Sequence, residues 1–303
     1  MMPKQITAKP GEPLLSPLRY PGSKRRLVQY LQATLELNDL HPLLLVEPFA
    51  GGASAALQLL CDGIVDRIGL ADVDPLITSF WLCVFFDTDW LVSAVDEIEV
   101  TLPRWEAFRK LKPATTRDRA LKCLFLNRTS FSGILAPSGG PIGGCKQLSA
   151  YDITCRFPRH TLTKRIRQAA SLRDRVAFVK ECGWQECLQS LTTYRQVLGN
   201  EIFVYLDPPF YYKADKLYTY YFTEADHKAL HRVLGSLTLP WLLSYDPAEP
   251  IELLYSSNGT KPARVEMLYS AAEAPGFVPR QELIITNLRS LPRETRSWRM
   301  GRF

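Results

Sequence analysis

The sequence predicts an α/β protein whose sheet is interrupted by a basic insert. Helical patterns alternate with short apolar runs, as in chains built from strand–helix units. Seven runs have the length and composition of buried strands: residues 43–47, 68–71, 176–179, 202–206, 240–245, 264–268 and 283–287. Between the second and third runs the pattern changes to several helices and a glycine- and proline-rich stretch. The chain is therefore expected to form one α/β body with an insert.

Length and composition indicate a globular protein with a sizeable core. The chain has 303 residues, of which 46% are hydrophobic and 22% charged, enough for one domain with an insert or for two domains. No apolar stretch approaches the ~20 residues that a membrane helix needs. The first residues lead into no signal-peptide core, so we expect a protein of the cytoplasm.

Cysteines and histidines give no sign of a metal site. The seven cysteines are an odd number without a Cys-x-x-Cys pair, which indicates neither a disulfide framework nor a zinc site. His227 and His231 have the spacing of metal ligands, but Lys228 stands where a zinc protease has its glutamate. We interpret the two histidines as part of a plain helix surface.

The net charge of +6 is unevenly distributed. Residues 101–175 contain 16 Lys and Arg against four Asp and Glu, a formal +12, and residues 289–303 add a further +4. The rest of the chain is therefore acidic, at −10. A charge run is usually a solvated surface, but a whole basic segment beside an acidic body indicates a polyanion partner, with nucleic acid as the first candidate.

Two glycine-containing turns precede helices near the N terminus. Gly22 and Ser23 can present backbone N–H groups and Lys24 to an anion, although a plain helix cap is an equal alternative. Residues 48–54 link the first strand to an Ala/Leu-rich helix, which is the layout of a nucleotide-binding unit. This turn is not G-x-G-x-x-G, but its two adjacent glycines let the backbone approach a ligand closely.

The second strand ends in two carboxylates, Asp72 and Asp74. A carboxylate at the tip of this strand is placed to accept both ribose hydroxyls of a nucleoside. Either residue could instead cap the following helix. The order of the motifs favours ribose for one of them, and Asp72 is the better candidate.

The fourth strand ends in Asp207-Pro208-Pro209-Phe210. The prolines fix φ and lack N–H groups, so their carbonyls take well-defined positions. Asp207 adds a carboxylate and Phe210 an aromatic face, which together suit a flat group that carries an NH2. The alternative is an ordinary turn, because Asp-Pro is common turn chemistry.

The insert interleaves basic with aromatic residues, which suits phosphate contacts, base-edge reading and wedging between bases. A glycine-rich stretch at residues 138–144 is predicted to form hairpins or extended loops, and a basic helix follows around residues 162–175. The aromatic residues concerned are Phe131, Tyr151 and Phe157.

Five motifs, taken in order, resemble those of the Dam-type DNA adenine-N6 methyltransferases. They are Tyr20-Pro21-Gly22-Ser23-Lys24, Glu47-Pro48-Phe49-Ala50-Gly51-Gly52, Ala71-Asp72, Asn127-Arg128 with Gly140-Pro141-Ile142-Gly143-Gly144, and Asp207-Pro208-Pro209-Phe210. The resemblance extends from about residue 17 to residue 288. The order of cofactor motif, recognition insert and catalytic motif is that of the alpha group of amino-methyltransferases.

The resemblance implies a Rossmann-like, seven-stranded methyltransferase sheet with an inserted helical and hairpin target-recognition domain. It divides the chain into a methyltransferase domain, residues 1–80 and 176–303, and a DNA-binding insert, residues 81–175. S-adenosyl-L-methionine is the implied cofactor and double-stranded DNA the implied partner. The implied reaction is site-specific methylation of a flipped-out adenine at N6, by a monomer or homodimer associated with the nucleoid.

The same resemblance assigns site residues by their positions in this sequence. The catalytic residues are Asp207, Pro208, Pro209 and Phe210. The cofactor-binding residues are Tyr20, Gly22, Lys24, Glu47, Phe49, Gly51, Asp72, Trp184 and Asp207. The DNA-binding residues are Asn127, Arg128, Phe131, Lys146, Tyr151, Arg156, Lys164 and Arg165. No metal ligand is predicted.

Alternatives to this function differ in how well the sequence fits them. An RNA adenine methyltransferase shares the catalytic motif and is the nearest alternative, whereas a DNA-binding protein without activity would leave the pocket idle. Cytosine-C5 methylation is disfavoured because no Pro-Cys occurs in the sequence. The insert also lacks the Arg-Tyr-Asn run of GATC-type enzymes and has Leu135-Ala136-Pro137-Ser138 instead, so GATC specificity is not implied.

Overall fold

The computed structural model describes residues 7–20, 22–212, 214–256, 262–270 and 277–297. Pro21 of the first motif and both ends of the predicted methyltransferase domain lie outside these residues. The strands are β1 (Leu44–Glu47), β2 (Arg67–Asp72), β3 (Val176–Glu181), β4 (Ile202–Leu206), β5 (Trp241–Tyr245), β6 (Ala263–Ser270) and β7 (Phe277–Thr286). The helices are α1 (Val28–Leu37), α2 (Ser54–Cys61), α3 (Pro75–Phe86), α4 (Thr88–Glu97), α5 (Leu102–Lys110), α6 (Thr116–Thr129), α7 (Arg159–Ala170), α8 (Trp184–Leu198), α9 (Ala214–Leu217), α10 (Glu224–Ser236) and α11 (Glu249–Ser256).

The strands form one sheet in the order β3-β2-β1-β4-β5-β7-β6. Neighbours from β3 to β5 are parallel, and β7 is antiparallel to both β5 and β6. All seven predicted strands are present, which confirms the predicted Rossmann-like α/β fold. The chain leaves β1 toward one edge of the sheet and returns to β4 on the other side of β1. A crevice therefore opens at the carboxyl ends of these two strands.

Helices cover both faces of the sheet, so its central strands are buried along their whole length. One core contains the apolar sides of α1, α2 and α3, with Phe80, Trp81 and Phe85 fully buried. The other core packs α8, α10 and α11 against the strands through residues such as Leu191 and Leu230. The sheet is thus a rigid support for the loops at its edge.

The segment between β2 and β3 shares a core with the sheet. Helix α3 runs through residue 81, where the predicted insert begins, and α6 and α7 pack against α3. The ring centroids of Phe108 and Phe125 are 4.8 Å apart, and Phe157 lies 5.9 Å from Phe125. Phe157 is buried in this core, so its interpretation as a residue that contacts or wedges between bases is wrong. The predicted domain boundaries stay a prediction.

Among the described residues, no single helix is long and apolar enough to cross a membrane. Helices α3 and α4 meet the criteria only as a pair, which is bent by 110°.

Gly69 on β2 has no room for a side chain, since an added Cβ would lie 2.3 Å from the ring of Phe178 on β3. We expect Gly69→Ala to destabilise the protein by about 1–3 kcal/mol, because the packed sheet cannot relax around the clash. Gly235→Ala is the matched control. This glycine lies in α10 with nothing within 4 Å of an added Cβ, so we expect a gain of about 0.5–1 kcal/mol. Urea unfolding measures both changes, and equal effects would contradict the packing argument.

Candidate active site

A cavity of about 440 Å³ lies at the carboxyl ends of β1, β2 and β4. Its wall is built from the turns after these strands, the loop before α8 and residues 218–222. All nine predicted cofactor-binding residues line it: Tyr20, Gly22, Lys24, Glu47, Phe49, Gly51, Asp72, Trp184 and Asp207. They come from five separate stretches of the chain, so their convergence supports a common ligand site. The role of each residue stays a prediction.

The turn after β1 depends on Gly51. Its φ of +44° lies in the left-handed region, and a Cβ there would lie 2.7 Å from the ring of Tyr20. The Gly51 carbonyl accepts a hydrogen bond from the indole of Trp81 at 2.9 Å, and the Gly51 N–H donates to Asp72 at 2.9 Å. A side chain at this position would push Tyr20 out of the cavity wall, so glycine is required.

Asp72 and Asp74 have different roles in the structure. Asp74 caps α3, since its carboxylate accepts from the N–H of Leu76 at 2.9 Å. Asp72 lines the cavity and accepts from the N–H groups of Gly51 and Asp74, each at 2.9 Å. Burial raises the pKa of Asp72 to about 7, although these backbone hydrogen bonds oppose the rise. Each carboxylate oxygen keeps acceptor capacity for a hydroxyl group, which fits the predicted ribose contact.

Glu47, at the end of β1, is a second buried acid in the cavity wall. Burial above all, and also the charge of Asp207, raises the pKa of Glu47 to about 8. The N–H of Ala56 donates to its carboxylate at 2.9 Å and opposes the rise. At neutral pH most Glu47 side chains therefore carry a proton, and the cavity holds less negative charge than its sequence indicates.

Asp207 follows β4 directly and forms an ion pair with the buried Lys24. The Lys24 ammonium lies 2.9 Å from Oδ1 of Asp207 and 3.6 Å from Oε1 of Glu282 on β7. The hydroxyl of Ser244 on β5 also donates to Oδ1 of Asp207, at 3.1 Å, and lies 2.9 Å from the hydroxyl of Tyr205. Lys24 is only 4% exposed, whereas the side chain of Asp207 is 27% exposed, so the cation is shielded from solvent while the carboxylate opens onto the cavity.

This ion pair settles what the turn at Lys24 does within the protein. The anion that Lys24 meets is the carboxylate of Asp207, and Ser23 makes no capping hydrogen bond but donates to Ser54 at 3.0 Å. A plain helix cap is therefore not formed. Burial raises the pKa of Asp207, and Lys24 is the main group that opposes the rise. The partners on β5 and β7 were missed in the sequence, because no local pattern marks them.

Phe210 lies beside the ion pair. Its ring centroid is 5.6 Å from the Lys24 ammonium, and a Cβ added to Gly22 would lie 2.9 Å from the ring. Gly22 has a φ of +76°, so its conformation and its missing side chain both admit Phe210. Asp207 and Pro209 line the cavity. Pro208 and Phe210 of the predicted catalytic stretch are not among the residues that line it, and Phe210 lies next to the glycine turn of the first motif.

A group of aromatic residues forms another part of the wall. The ring of Phe222 lies 5.6 Å from Phe49 and 6.4 Å from Trp184, and His227 lies 5.2 Å from Phe222. His227 is 3% exposed, with Nδ1 2.6 Å from the hydroxyl of Tyr245. The interpretation of a plain helix surface is therefore wrong for His227. Burial lowers its pKa to about 4, which keeps the ring neutral at physiological pH. Phe222 was also missed in the sequence.

Asn127 fastens the insert to the first motif. Its Oδ1 accepts from the N–H of Arg19 at 2.7 Å, and its Nδ2 donates to the carbonyls of Arg19 at 3.1 Å and Gly133 at 2.9 Å. Gly133 has a φ of +75°, and a Cβ there would lie 1.9 Å from the carbonyl oxygen of Arg19. Asn127 is fully buried, so its amide serves contacts within the protein, and its predicted contact with DNA stays a prediction.

Arg128 is a buried cation at the centre of an arginine cluster. It is 4% exposed, and its Nε has no hydrogen-bond partner among the described residues. Burial, and then the charges of three other arginines, lowers the pKa of Arg128 to about 9. These three are Arg165, Arg19 and Arg156, and burial together with the charge of Arg25 lowers the pKa of Arg165. In the part of the chain that the structure describes, no acid forms an ion pair with any of the five.

The cluster joins two regions of the chain. Arg19 and Arg25 flank the first motif and were missed in the sequence, whereas the other three were predicted to bind DNA. The remaining predicted DNA contacts are exposed: Phe131, Lys146, Tyr151 and Lys164. Five cations without a carboxylate partner fit a phosphate-bearing ligand.

The sheet order, the glycine turn after β1 and the acid at the tip of β2 are those of an α/β protein that binds a nucleoside-type ligand at its switch point. A family model described as D12 class N6 adenine-specific DNA methyltransferase matches residues 20–271. The chain therefore belongs to this family of adenine-specific DNA methyltransferases, which confirms the predicted family. Methyltransferases of this kind use S-adenosylmethionine in general. A search of curated proteins found no match.

Arg128 gives a stability test of the arginine cluster. We expect Arg128→Met to raise the melting temperature and to weaken DNA binding, because an unpaired buried cation destabilises the free protein. Arg159→Met is the matched control. Its guanidinium donates to the carbonyls of Val95, Asp96 and Ile98, so its loss should lower the melting temperature. Thermal melts and DNA titrations measure both effects, and a destabilised Arg128→Met protein would contradict the account.

The raised pKa of Glu47 predicts a pH-dependent stability. Between the ordinary carboxyl pKa near 4.5 and the folded value of about 8, the unfolded chain releases the proton that the folded chain keeps. The contribution of Glu47 to the free energy of unfolding therefore falls as the pH rises from about 4.5 to about 8. We expect the stability of Glu47→Gln relative to the unmutated protein to increase from pH 5 to pH 8. Denaturant titrations across this range measure it, with exposed Glu99→Gln as the control that should show no such trend.

Proposed function

We propose that the protein transfers the methyl group of S-adenosylmethionine to the N6 amine of an adenine flipped out of double-stranded DNA. One observation carries the proposal: Asp207, at the end of β4, opens onto the same cavity as Asp72 and the Gly51 turn. A single cavity thus combines an acceptor for an amine with groups suited to a nucleoside cofactor. The family of the chain supports the same reaction.

The cavity wall fits S-adenosylmethionine. Its volume of about 440 Å³ lies in the range of small-ligand sites. Asp72 would accept the ribose hydroxyls, and the aromatic group of Phe49, Trp184 and Phe222 would pack against the adenine ring. When bound, the cofactor supplies a methyl group that its sulfonium makes electrophilic.

Asp207 and the Pro208 carbonyl are the proposed acceptors for the two N6 hydrogens. The N6 lone pair of adenine is delocalised into the ring and is a poor nucleophile. Two acceptors that each take one N–H draw the nitrogen toward tetrahedral geometry and direct its lone pair at the methyl donor. They also stabilise the positive charge that develops on the nitrogen.

Lys24 and Ser244 prepare Asp207 for this task. Both hold Oδ1 of the carboxylate, at 2.9 and 3.1 Å respectively, so its orientation is fixed. Oδ2 accepts no side-chain hydrogen bond from the described residues and is therefore the proposed acceptor. The charge of Lys24 also opposes the rise in the pKa of Asp207 that burial causes. Lys24 thereby stabilises the ionised state of Asp207 against the effect of burial, and in that state the carboxylate can only accept hydrogen bonds.

The target base must leave the duplex, because N6 of a paired adenine does not reach a cavity of this kind. Phe210 is the proposed stacking surface for the flipped base. Phe131 of the insert, which is 59% exposed, is the proposed apolar wedge for the disturbed base step. The arginine cluster would hold a backbone phosphate, with sequence read by other contacts of the insert.

Asp207→Asn tests the catalytic assignment. The amide keeps the size of the side chain but lacks the charge, so we expect methyl transfer to fall at least 10²–10³-fold, about the loss seen when one preorganised catalytic hydrogen bond is removed. DNA affinity should change little. Asp215→Asn, an exposed acid on α9, is the matched control. Transfer of labelled methyl groups and DNA titration measure the two effects, and near-normal turnover would refute the assignment.

A substrate panel separates DNA from RNA. Double-stranded DNA, single-stranded DNA and RNA duplexes of one sequence are offered to the unmutated protein, and N6-methyladenine is quantified in each. We expect methylation of double-stranded DNA, because the insert and its arginine cluster suit a duplex. Methylation of RNA alone would replace DNA as the substrate while leaving the chemistry at Asp207 in place.

A further inference from the structure

A segment that no motif includes closes the cavity beside the catalytic stretch. We call residues 211–222 the strap; the structure describes all of it except Lys213. At its start, the Tyr211 N–H donates to Asp246 at 2.9 Å. At its end, Thr223 and Asp226 form the reciprocal capping box of α10. Both ends of the strap are therefore anchored to the α/β body.

The middle of the strap is tied to the insert. The short helix α9 occupies this part, and Ala214 is buried at its start. The hydroxyl of Ser138, in the glycine-rich stretch of the insert, donates to the carbonyl of Lys216 at 2.6 Å. The segment that is predicted to hold DNA thus contacts the strap directly.

Tyr218 follows α9 and projects its ring into the cavity wall. Its ring centroid lies 5.9 Å from that of Phe210, edge to face at 67°, and 5.9 Å from that of Tyr20 at 31°. Burial, and then the charge of Asp207, raises the pKa of Tyr218, so the phenol is neutral at physiological pH. Tyr218 therefore touches the proposed stacking ring and lies close to the proposed acceptor.

A flipped base has two faces, and Phe210 is the proposed cover for one of them. Enzymes that act on extruded bases hold them between aromatic or apolar side chains, because an uncovered face would stay in water. In the described part of the chain, Tyr218 is the aromatic side chain that both contacts Phe210 and lines the cavity. The ring of Tyr218 would therefore cover the second face of the base after the strap has moved away from Phe210 by the thickness of an aromatic ring.

We propose that Tyr218 is a base-binding residue whose ring forms, with Phe210, the slot that receives the target adenine. The proposal rests on the proposed function, since it concerns the same reaction. Because Ser138 ties the strap to the insert, one wall of the slot is positioned by the segment that positions the duplex. A role of Tyr218 in packing alone, against Tyr20 or the strap, is the alternative that the test must separate.

The test is a double-mutant cycle between the Tyr218 ring and the target base. The duplex carries a site that the unmutated protein modifies, and a second duplex lacks only the base at the modified position. DNA affinity is measured for both duplexes with the unmutated protein, Tyr218→Phe and Tyr218→Leu. Tyr212→Leu is the matched control, because Tyr212 is an exposed tyrosine of the strap that does not line the cavity.

With Tyr218→Leu we expect the preference for the duplex that contains the base to fall about tenfold to a hundredfold, the loss typical of one base–aromatic stack. kcat/KM for DNA should fall by a similar factor, while the cofactor Kd changes less than about threefold. Tyr218→Phe keeps the ring and should retain the preference, as should Tyr212→Leu. A packing role would instead weaken binding of both duplexes equally.

Two outcomes would overturn the proposal: an unchanged preference in Tyr218→Leu, or equal losses for both duplexes. If Tyr218→Leu fails to fold in a thermal melt, Tyr218→Met replaces it, since Met fills a similar volume without a ring. An unmutated protein that methylates no DNA adenine would overturn the proposed function together with this inference. Normal methylation without coupling between Tyr218 and the base would overturn this inference alone.

Discussion

The ion pair between the buried Lys24 and Asp207, at the cavity wall, is the constraint on which the site depends. A carboxylate buried alone would take up a proton and lose acceptor capacity, and a lysine buried alone would lose its charge. Each residue therefore requires the other, and their 2.9 Å contact joins the first motif to the end of β4. Ser244 on β5 donates a hydrogen bond to Asp207, and Glu282 on β7 lies close to the ammonium of Lys24. The glycine at residue 22 belongs to the same constraint, because it lets Phe210 lie beside the pair.

Much of the fold could be predicted because each strand is a continuous apolar run bounded by turn residues. The residues of the cavity could be predicted for a related reason. The motifs that contain glycine, acidic residues and proline lie at the strand ends, which the sheet topology brings together. The burial of individual side chains could not be predicted from the sequence. Phe157 and His227 carry no local signal of their surroundings, and tertiary packing puts both inside. The strap and its Tyr218 were missed because a short helix between loops leaves no periodicity.

Asn127 and Arg128, which lie where the insert contacts the first motif, differ in how their polar groups are satisfied. Asn127 satisfies its hydrogen-bonding groups within the protein and fixes Arg19 against Gly133. The neighbouring Arg128 is buried, and its Nε has no partner among the residues that the structure describes, an arrangement that we expect to destabilise the free protein. Such local conflicts are expected where a ligand completes the structure. Asn127 and Arg128 are consecutive in the chain, so the hydrogen bonds of Asn127 hold Arg128 close to Arg19.

The contact between Lys24 and Glu282 has a consequence for biosynthesis. A ribosome releases the chain from its N terminus, so the lysine emerges long before the strand that carries its second acid. Contacts across such a separation form late, because the loop between them must close first. The contact between Lys24 and Glu282 can therefore form only after β7 has been synthesised and has joined the sheet.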